Sequence, residues 1–310
     1  METHTFGKTD LEVSRIGFGG APIGLLSTEQ QQVARILDLL LEGGVNLIDT
    51  AAAYRGSEEA IGKAIADRRD QFVLVSKCGV PGSGPESESW RPNELKDSID
   101  RSLQRLQTDH LDVMLLHSCS METLQRGDAL TALIRARDAG KIRHVGYSGD
   151  NQPAAYAAVL EDIAVIETSI NICDQANINT VLPLAREHDL GVVAKRPIAN
   201  AAWKSASEQP GFYKEYAETY SSRFAEMGVA PADLGFQGEP DEVWPDVALR
   251  FTLAQPGVHV AIIGTTNPDH ARRNIAAANE GALSQEALEK LRIAFRTAEQ
   301  QADDEWLGQT

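Results

Sequence analysis

Four side chains of different chemistry follow three successive apolar runs of this 310-residue chain. They are Asp49 and Tyr54 in IDTAAAY, Lys77 in VLVSK and His117 in VMLLH. Each lies at or just after the end of a run that predicts a strand. A phenol has an ordinary pKa of about 10, and a nearby ammonium favours its ionised form. The set therefore indicates a proton donor beside groups that tune it, as general acid catalysis requires.

Each of these residues has an ordinary structural role when it is taken alone. An aspartate at a strand end often caps the next helix, a tyrosine packs in a wall, and a lysine is solvated at a rim. Their combination on consecutive strands favours a catalytic site. In such a site Asp49 would hold Lys77 charged and oriented, and His117 would donate to a substrate oxygen or relay a proton.

The elements that must position these residues alternate regularly between strand and helix. THTFGKTDLEV, with Gly7 in its turn, predicts a short hairpin at the start of the chain. The predicted strands that follow are SRIGFG, VNLID, FVLVSK, DVMLLH, IRHVGYS, IAVIETS, LGVVAK and VHVAIIG. Helical patterns are predicted at 28–42, 57–66, from about 93 onward, and at 128–139, 153–160, 178–188 and 241–255.

Eight short apolar strands, each followed by a helix, favour a (β/α)8 TIM barrel over an open doubly wound parallel sheet, which stays the alternative. No proline- or serine-rich linker interrupts the pattern, so residues 1–310 are predicted to form a single domain. In a barrel, the carboxyl ends of the strands face the active site. Neighbouring strands would then bring Asp49, Lys77 and His117 together.

A long aromatic-rich insertion, 199–238, follows the seventh predicted barrel strand. Long ordered insertions usually carry function, and this one is expected to help wall the pocket; packing on the outside is the alternative. Its aromatic residues are Trp203, Phe212, Tyr213, Tyr216, Tyr220, Phe224 and Phe236.

The composition excludes several classes of function. A net charge of −16 argues against a nucleic-acid or anionic-membrane surface, since both need basic patches. No apolar run approaches the roughly 18 residues of a membrane-spanning helix. The three cysteines have no metal-ligand spacing, and no leader is recognised, so a metal-free cytoplasmic protein is expected. Nothing in the sequence indicates the oligomeric state.

Several familiar motifs are absent. GFGGAPIG does not match the dinucleotide-binding G-x-G-x-x-G, because Pro22 interrupts it and no helix begins at its third glycine. The phosphate-binding loop and the zinc motif H-E-x-x-H are missing. GYSGD is not the G-x-S-x-G of a hydrolase.

Four segments resemble the aldo-keto reductase family: IDTAAAYRGSEEAIGKAI, VLVSK, SIDRSLQRLQTDHLDVMLLH and GKIRHVGYS. The resemblance runs from about 16 to 274. It implies a (β/α)8 barrel that binds a nicotinamide cofactor without a Rossmann fold. It further implies hydride transfer between that cofactor and an aldehyde or ketone, or the corresponding alcohol. In that reaction Tyr54 would be the acid or base, Asp49 and Lys77 would activate it, and His117 would orient the carbonyl.

The same resemblance assigns residues to the nicotinamide end of the cofactor. Ser148 and Asn151 stand for the residues that hold the carboxamide, and Glu167 replaces the usual glutamine, so it can accept a hydrogen bond but not donate one. Lys195 stands where an aromatic side chain commonly stacks on the ring. A cation there disfavours the oxidised ring, so Lys195 is expected to point away or to pair with an acid, and Arg196 to supply a flat stacking surface.

IIGTTNPDHARRN resembles the segment that holds the adenosine 2′-phosphate. Gly264 and His270 replace common basic residues there, and Arg272 or Arg273 would supply the lost charge. NADP(H) is therefore the preferred cofactor, with NAD(H) possible. The full set implied for this end is Gly264, Thr265, Thr266, His270, Arg273 and Asn274.

The substrate pocket is expected to be lined by Trp90, Trp203 and Trp306, which come from three separate loops. The expected partner is a small carbonyl or alcohol, and its identity is not encoded in any spacing. Two other functions stay open: a nucleotide-binding regulatory subunit without catalysis, and a lyase that forms a Schiff base on Lys77. An unchanged cellular effect of Tyr54→Phe would favour the first, and borohydride trapping of a substrate on Lys77 the second.

Overall fold

The computed structural model describes residues 1–204 and 214–310, with the side chains of 214–216 excepted. The chain opens with a hairpin of two antiparallel strands, β1 (Thr3–Thr5) and β2 (Glu12–Ser14), as the sequence predicts. Phe6, in the turn, is fully buried, and its ring lies so close to Gly191 that a β-carbon there would approach within 2.8 Å. The hairpin therefore packs into one end of the structure that follows.

Eight parallel strands form a closed barrel, which confirms the predicted (β/α)8 fold. Its last strand pairs with its first through Ala261 and Ile16. The strands are β3 (Ile16–Gly19), β4 (Leu47–Asp49), β5 (Val73–Cys78), β6 (Leu111–His117), β7 (Ile142–Ser148), β8 (Ile163–Ser169), β9 (Gly191–Lys195) and β10 (Val260–Ile263).

Helices follow the strands around the outside. They are α1 (Ala21–Leu25), α2 (Gln30–Glu42), α3 (Ser57–Ile65), α4 (Pro92–Leu106), α5 (Met121–Arg126), α6 (Asp128–Asp138), α7 (Asn151–Ala158), α8 (Ala176–Thr180), α9 (Leu182–Glu187), α10 (Lys214–Met227), α11 (Pro240–Leu253), α12 (Pro268–Asn279) and α13 (Gln285–Gln301). The single helix predicted at 178–188 is wrong in one respect: it breaks at Val181. Pro183 explains the break, because proline lacks an N–H and fits only the first turn of a helix.

The apolar side chains form separate buried clusters. The strands contribute side chains to one cluster inside the barrel and to another between the barrel and the helices. Leu47, Val113, Val193 and Val260 fill the interior together with Phe6 of the hairpin. Alternate residues of the same strands pack outward against the helices. None of the helices in the described ranges has both the length and the apolar character for crossing a membrane.

The insertion after β9 contains the helix α10, which the sequence analysis did not predict. Buried Tyr220 of α10 belongs to a further apolar cluster, formed with residues of α11 and α13 such as Trp244 and Phe295. Phe212 and Tyr213, and the side chain of Tyr216, lie outside the described residues. The described aromatic residues of the insertion thus pack mainly among helices.

Candidate active site

The strand register places the proposed catalytic residues at one end of the barrel. Asp49 is the last residue of β4 and His117 the last of β6, and Lys77 is the penultimate residue of β5 between them. His117 is paired in register with Ser148, which is paired in turn with Glu167. The carboxyl ends of five successive strands therefore contribute side chains to one region, as a barrel requires.

Lys77 and Asp49 form a buried ion pair. The Lys77 Nζ donates to both carboxylate oxygens of Asp49, at 2.5 and 2.6 Å, and to the carbonyl of Thr50 at 3.1 Å. Burial pulls the pKa of Lys77 down, but the charges of Asp49 and Glu167 outweigh burial and raise it above its ordinary value. Lys77 is thus an ammonium at neutral pH, a poor nucleophile but a fixed positive charge.

Tyr54 lies in the turn between β4 and α3, where its N–H donates to the carbonyl of Ala51. The Lys77 Nζ lies 5.4 Å from the centroid of the Tyr54 ring, and the His117 ring meets it edge-on at 5.8 Å. Burial raises the pKa of Tyr54 to about 12, although Lys77 acts in the opposite direction. The expected lowering by Lys77 is therefore present but smaller than the effect of burial.

His117 is a neutral imidazole. Burial first, and then the charges of Lys77 and Lys195, hold its pKa well below the usual 6.5. Its Nδ1 is buried and has no hydrogen-bond partner within the described residues. A neutral ring of this kind can orient a substrate oxygen through one nitrogen without adding charge to the site.

Glu167 points into the barrel toward Lys77. Its Oε1 accepts a hydrogen bond from Ser148 Oγ at 3.1 Å, and its Oε2 lies 3.4 Å from the Lys77 Nζ. The sequence analysis did not foresee this second acid beside Lys77. Side chains alternate between the inside and the outside of the barrel along β8. This alternation places Glu167 on the same face as the buried ion pair, and it could have indicated the contact.

Lys195 pairs with an acid, one of the two placements expected for it. Its Nζ lies 2.8 Å from Oδ2 of Asp150, whose side chain is fully buried. The other oxygen of Asp150 accepts from Thr168 Oγ1, the Ser169 N–H and Asn177 Nδ2. Asp150 was not singled out in the sequence, although it directly follows the loop after β7.

Two residues assigned to the cofactor contact the segment 306–310. Asn151 exchanges two hydrogen bonds with the backbone of Gly308, at 2.7 and 2.9 Å. Arg196 donates to the carbonyl of Gln309, which also accepts from Ser169 Oγ at 3.0 Å.

The backbone is strained where it leaves three of these strands. Ser118, Asn151 and Arg196 take left-handed conformations, with φ of 56°, 59° and 55°, shortly after β6, β7 and β9. Non-glycine residues rarely adopt this region, and such outliers cluster at functional sites. These three residues lie at the same end of the barrel as the polar side chains, although other left-handed residues, such as Gln107 and Asp189, precede strands.

The three tryptophans assigned to the substrate pocket are placed differently from one another. Trp90 is buried against Gly79, with its Nε1 donating to the carbonyl of Ser83. Trp203 is partly exposed and stacks on the ring of Trp244 at 6.3 Å. Trp306 is buried against Phe295.

The residues assigned to the adenosine phosphate lie on the loop after β10 and the first turns of α12. Thr265 is buried and hydrogen-bonded within the loop, and Thr266 and Asn274 are partly exposed. His270 and Arg273 are exposed, and Arg273 has no ion-pair partner among the described residues. An exposed basic pair at this position can receive an anion.

Gly264 cannot carry the lysine that the resemblance places there. A β-carbon on Gly264 would lie 2.7 Å from the ring of Pro22 and 2.9 Å from the carbonyl of Gly19. The glycine is therefore required by the close approach of the loop after β3, and the missing charge must come from other residues.

Comparison with known proteins gives a consistent family. The family model described as "Aldo/keto reductase family" matches residues 15–295. The uncharacterized oxidoreductase YqkF of Bacillus subtilis is 31% identical over 306 residues, covering 94% of this chain and 95% of its own.

Two further relatives carry a cofactor in their names. The NADH-specific methylglyoxal reductase of Escherichia coli is 26% identical, with 90% of this chain and 94% of its own covered. The crystal structure of an aldo-keto reductase from Klebsiella pneumoniae in complex with NADPH superposes with a TM-score of 0.71 at 27% identity, covering 95% of each chain.

Proposed function

The chain belongs to the aldo/keto reductase family of NAD(P)H-dependent oxidoreductases, and on that premise we propose that it transfers hydride between a nicotinamide cofactor and a small aldehyde or ketone, or the corresponding alcohol, with Tyr54 as the acid or base. The observation that carries the proposal is the buried Lys77–Asp49 pair beside Tyr54, at 2.5 Å between Nζ and Oδ1 and 5.4 Å between Nζ and the ring centroid.

Within this proposal Tyr54 donates its proton to the carbonyl oxygen during reduction. At neutral pH the phenol is fully protonated, since its pKa is raised to about 12. The Lys77 ammonium, held by Asp49, stabilises the phenolate that proton loss creates. His117 donates to the same carbonyl oxygen from a neutral ring and fixes its position.

The described residues fit a nicotinamide cofactor at both of its ends. The Oε2 of Glu167 lies 3.4 Å from Lys77 Nζ and makes no hydrogen bond among the described residues, so this buried carboxylate beside Ser148 has an acceptor that suits the NH2 of a carboxamide. At the other end, the exposed Arg273 and His270 suit a phosphate. The bound cofactor supplies the hydride, and the protein supplies the proton and the fixed charges.

NADP(H) is the proposed preference. A solved relative contains NADPH, whereas another relative is named as specific for NADH, so NAD(H) stays possible. The exposed basic residues of α12 favour the form that carries the additional phosphate. The chain as a whole has a net charge of −16, so this attraction for a phosphate is a local property of α12.

The ionisation of Lys77 argues against the Schiff-base alternative. An amine must be neutral to attack a carbonyl, and the two acids around Lys77 hold it protonated. The geometry therefore supports the ammonium as an electrostatic partner of Tyr54.

The test is a fluorescence titration with NADPH and NADH, followed by hydride-transfer assays with a panel of small aldehydes and ketones. We expect saturable binding of NADPH that is tighter than that of NADH, and oxidation of NADPH by at least one carbonyl. Comparable or tighter NADH binding would overturn the preference, and a lack of binding by both would overturn the enzymatic function.

A further inference from the structure

Two carboxylates from opposite sides of the barrel contact one ammonium. Asp49 of β4 lies 2.5 Å from the Lys77 Nζ, and Oε2 of Glu167 of β8 lies 3.4 Å from the same atom. The exposed fraction of each of the three side chains is 2% or less. If all three were ionised, this buried group would carry one uncompensated negative charge.

A buried excess charge is unfavourable, and two carboxylates that share a site do not readily ionise together. The Oε2 of Glu167 has no hydrogen-bond donor among the described residues. Burial first, and then the charge of Glu167, raise the pKa of Asp49 well above its usual range. A single proton bound by the pair of acids removes the excess charge.

We propose that Asp49 and Glu167 share one proton beside Lys77, and that Glu167 is thereby a positioning residue that sets the upper pH limit of carbonyl reduction. The inference rests on the proposed role of Tyr54 as the acid. It adds a proton-sharing pair to the Lys77–Asp49 arrangement and assigns Glu167 a function besides a contact to the cofactor.

Three further titratable groups lie around this one. His117 of β6 is neutral, and Lys195 of β9 is paired with Asp150. Arg196, after β9, is hydrogen-bonded to the carbonyl of Gln309. The groups that face Lys77 and Tyr54 from the surrounding elements are Asp49, His117, Glu167, Lys195 and Arg196.

The shared proton affects Tyr54 through charge. Reduction leaves a negative oxygen on Tyr54, and the ammonium of Lys77 stabilises it. While the two acids hold their proton, the three buried groups are neutral together. Once the proton is lost, their extra negative charge opposes formation of the phenolate, so reduction slows as the pH rises.

Glu167→Gln tests the inference because it keeps an acceptor for Ser148 and removes one acid. Asp49 and Lys77 then form a neutral pair at every working pH. We expect the descending alkaline limb of kcat/KM to lie at least about one pH unit higher than in the wild type. Because Glu167 is also assigned to the cofactor, the pH of this limb is read relative to each protein's own kcat/KM at neutral pH.

Glu58→Gln is the matched control. Glu58 of α3 is 1% exposed and also accepts from a serine, Ser76 Oγ at 2.8 Å, but its ion-pair partner is Arg105 at 3.2 Å, and no ion pair joins it to Lys77 among the described residues. In Glu58→Gln, the alkaline limb of kcat/KM should lie at the same pH as in the wild type. An unchanged limb in Glu167→Gln, or equal shifts in both variants, would overturn the inference.

Infrared spectroscopy of the cofactor-free protein gives a readout that needs no turnover. We expect a band of a protonated carboxyl group at neutral pH that is lost in Glu167→Gln and kept in Glu58→Gln. Carbon-13 labelling of aspartate and glutamate assigns the band in the wild type, even where Glu167→Gln does not fold. An active wild type without the band overturns this inference alone, and a protein with the band but without cofactor binding overturns the proposed function.

Discussion

The ammonium of Lys195 lies 2.8 Å from the carboxylate of Asp150, at the end of the barrel that holds Tyr54. Burial alone would raise the pKa of Asp150, but the charge of Lys195 and their hydrogen bond more than offset burial and lower it. The pair is therefore ionised and locally neutral. We therefore expect Lys195 to oppose the positive charge of an oxidised nicotinamide ring less than an unpaired lysine would.

Breaking this pair should cost stability and change cofactor binding. Asp150→Asn leaves the Lys195 charge, with a side chain only 13% exposed, without its partner. We expect a loss of about 3 kcal/mol in the free energy of unfolding. NADP+ should bind more weakly relative to NADPH. Urea denaturation and fluorescence titration measure the two effects.

A double-mutant cycle with Lys195→Met provides the control. The double variant Lys195→Met/Asp150→Asn removes both charges, so its loss of stability should be smaller than the sum of the single losses by at least about 1 kcal/mol. Additive losses would show that the two side chains do not stabilise each other.

The barrel could be predicted from the sequence because its signals are local. Apolar runs of strand length that alternate with helical patterns indicate a parallel sheet covered by helices. Eight such repeats favour a sheet that closes into a barrel. The helix α10 was missed, since its aromatic residues, such as Tyr220, follow no simple stripe. The break at Val181 was missed because the helical pattern on both sides of Pro183 was given more weight than the proline.

The contacts of the site could be predicted only in part. The residue types and their strand-end positions indicated that Asp49, Lys77 and His117 would converge. By contrast, the hydrogen bonds of Asn151 to Gly308 join segments 157 residues apart, and no sequence pattern encodes such a contact. The alternation along β8 places Glu167 inside the barrel, but its contact with Lys77 also depends on the diameter of the barrel, which the sequence does not state.

Tyr54→Phe should abolish the proton donation while it leaves the shape of the site intact. We expect at least about a 100-fold loss of the rate of reduction, the lower range of general-acid contributions. NADPH affinity should change little, because the hydroxyl is not assigned to the cofactor. Single-turnover kinetics and a binding titration check the two parts. A variant with nearly wild-type turnover would refute the role of Tyr54.

The depressed pKa of His117 predicts a pH dependence of stability. Below pH 6.5 the unfolded chain binds a proton on this residue that the folded protein does not bind, so the free energy of unfolding falls as the pH falls. Between about pH 6.5 and 5.5, the wild type should lose about 1 kcal/mol more than His117→Gln, because the unfolded histidine is only half protonated at pH 6.5. Urea denaturation at both pH values measures the difference. Equal losses in the two proteins would indicate an ordinary pKa.

Gly264→Lys tests the explanation for the missing charge after β10. The new β-carbon would lie 2.7 Å from Pro22, so we expect a loss of about 1–3 kcal/mol in stability and no gain in NADPH affinity. His270→Arg adds a permanent charge at an exposed position without this clash, and it should tighten NADPH binding. Thermal denaturation and titration compare the two variants. A stable Gly264→Lys protein would contradict the steric explanation.

Arg273 and Arg272 provide a matched pair for the cofactor preference. Both are exposed on α12, but Arg272 pairs with Asp269 at 2.8 Å, whereas Arg273 has no ion-pair partner in the described parts of the chain. Charge-assisted hydrogen bonds contribute about 1.5–3 kcal/mol, so Arg273→Ala should weaken NADPH binding at least about tenfold. NADH lacks the phosphate, and its affinity should stay the same. Arg272→Ala should affect both cofactors little. If Arg273→Ala weakened NADPH and NADH equally, Arg273 would contact a part common to both, and the preference for NADPH would need another source.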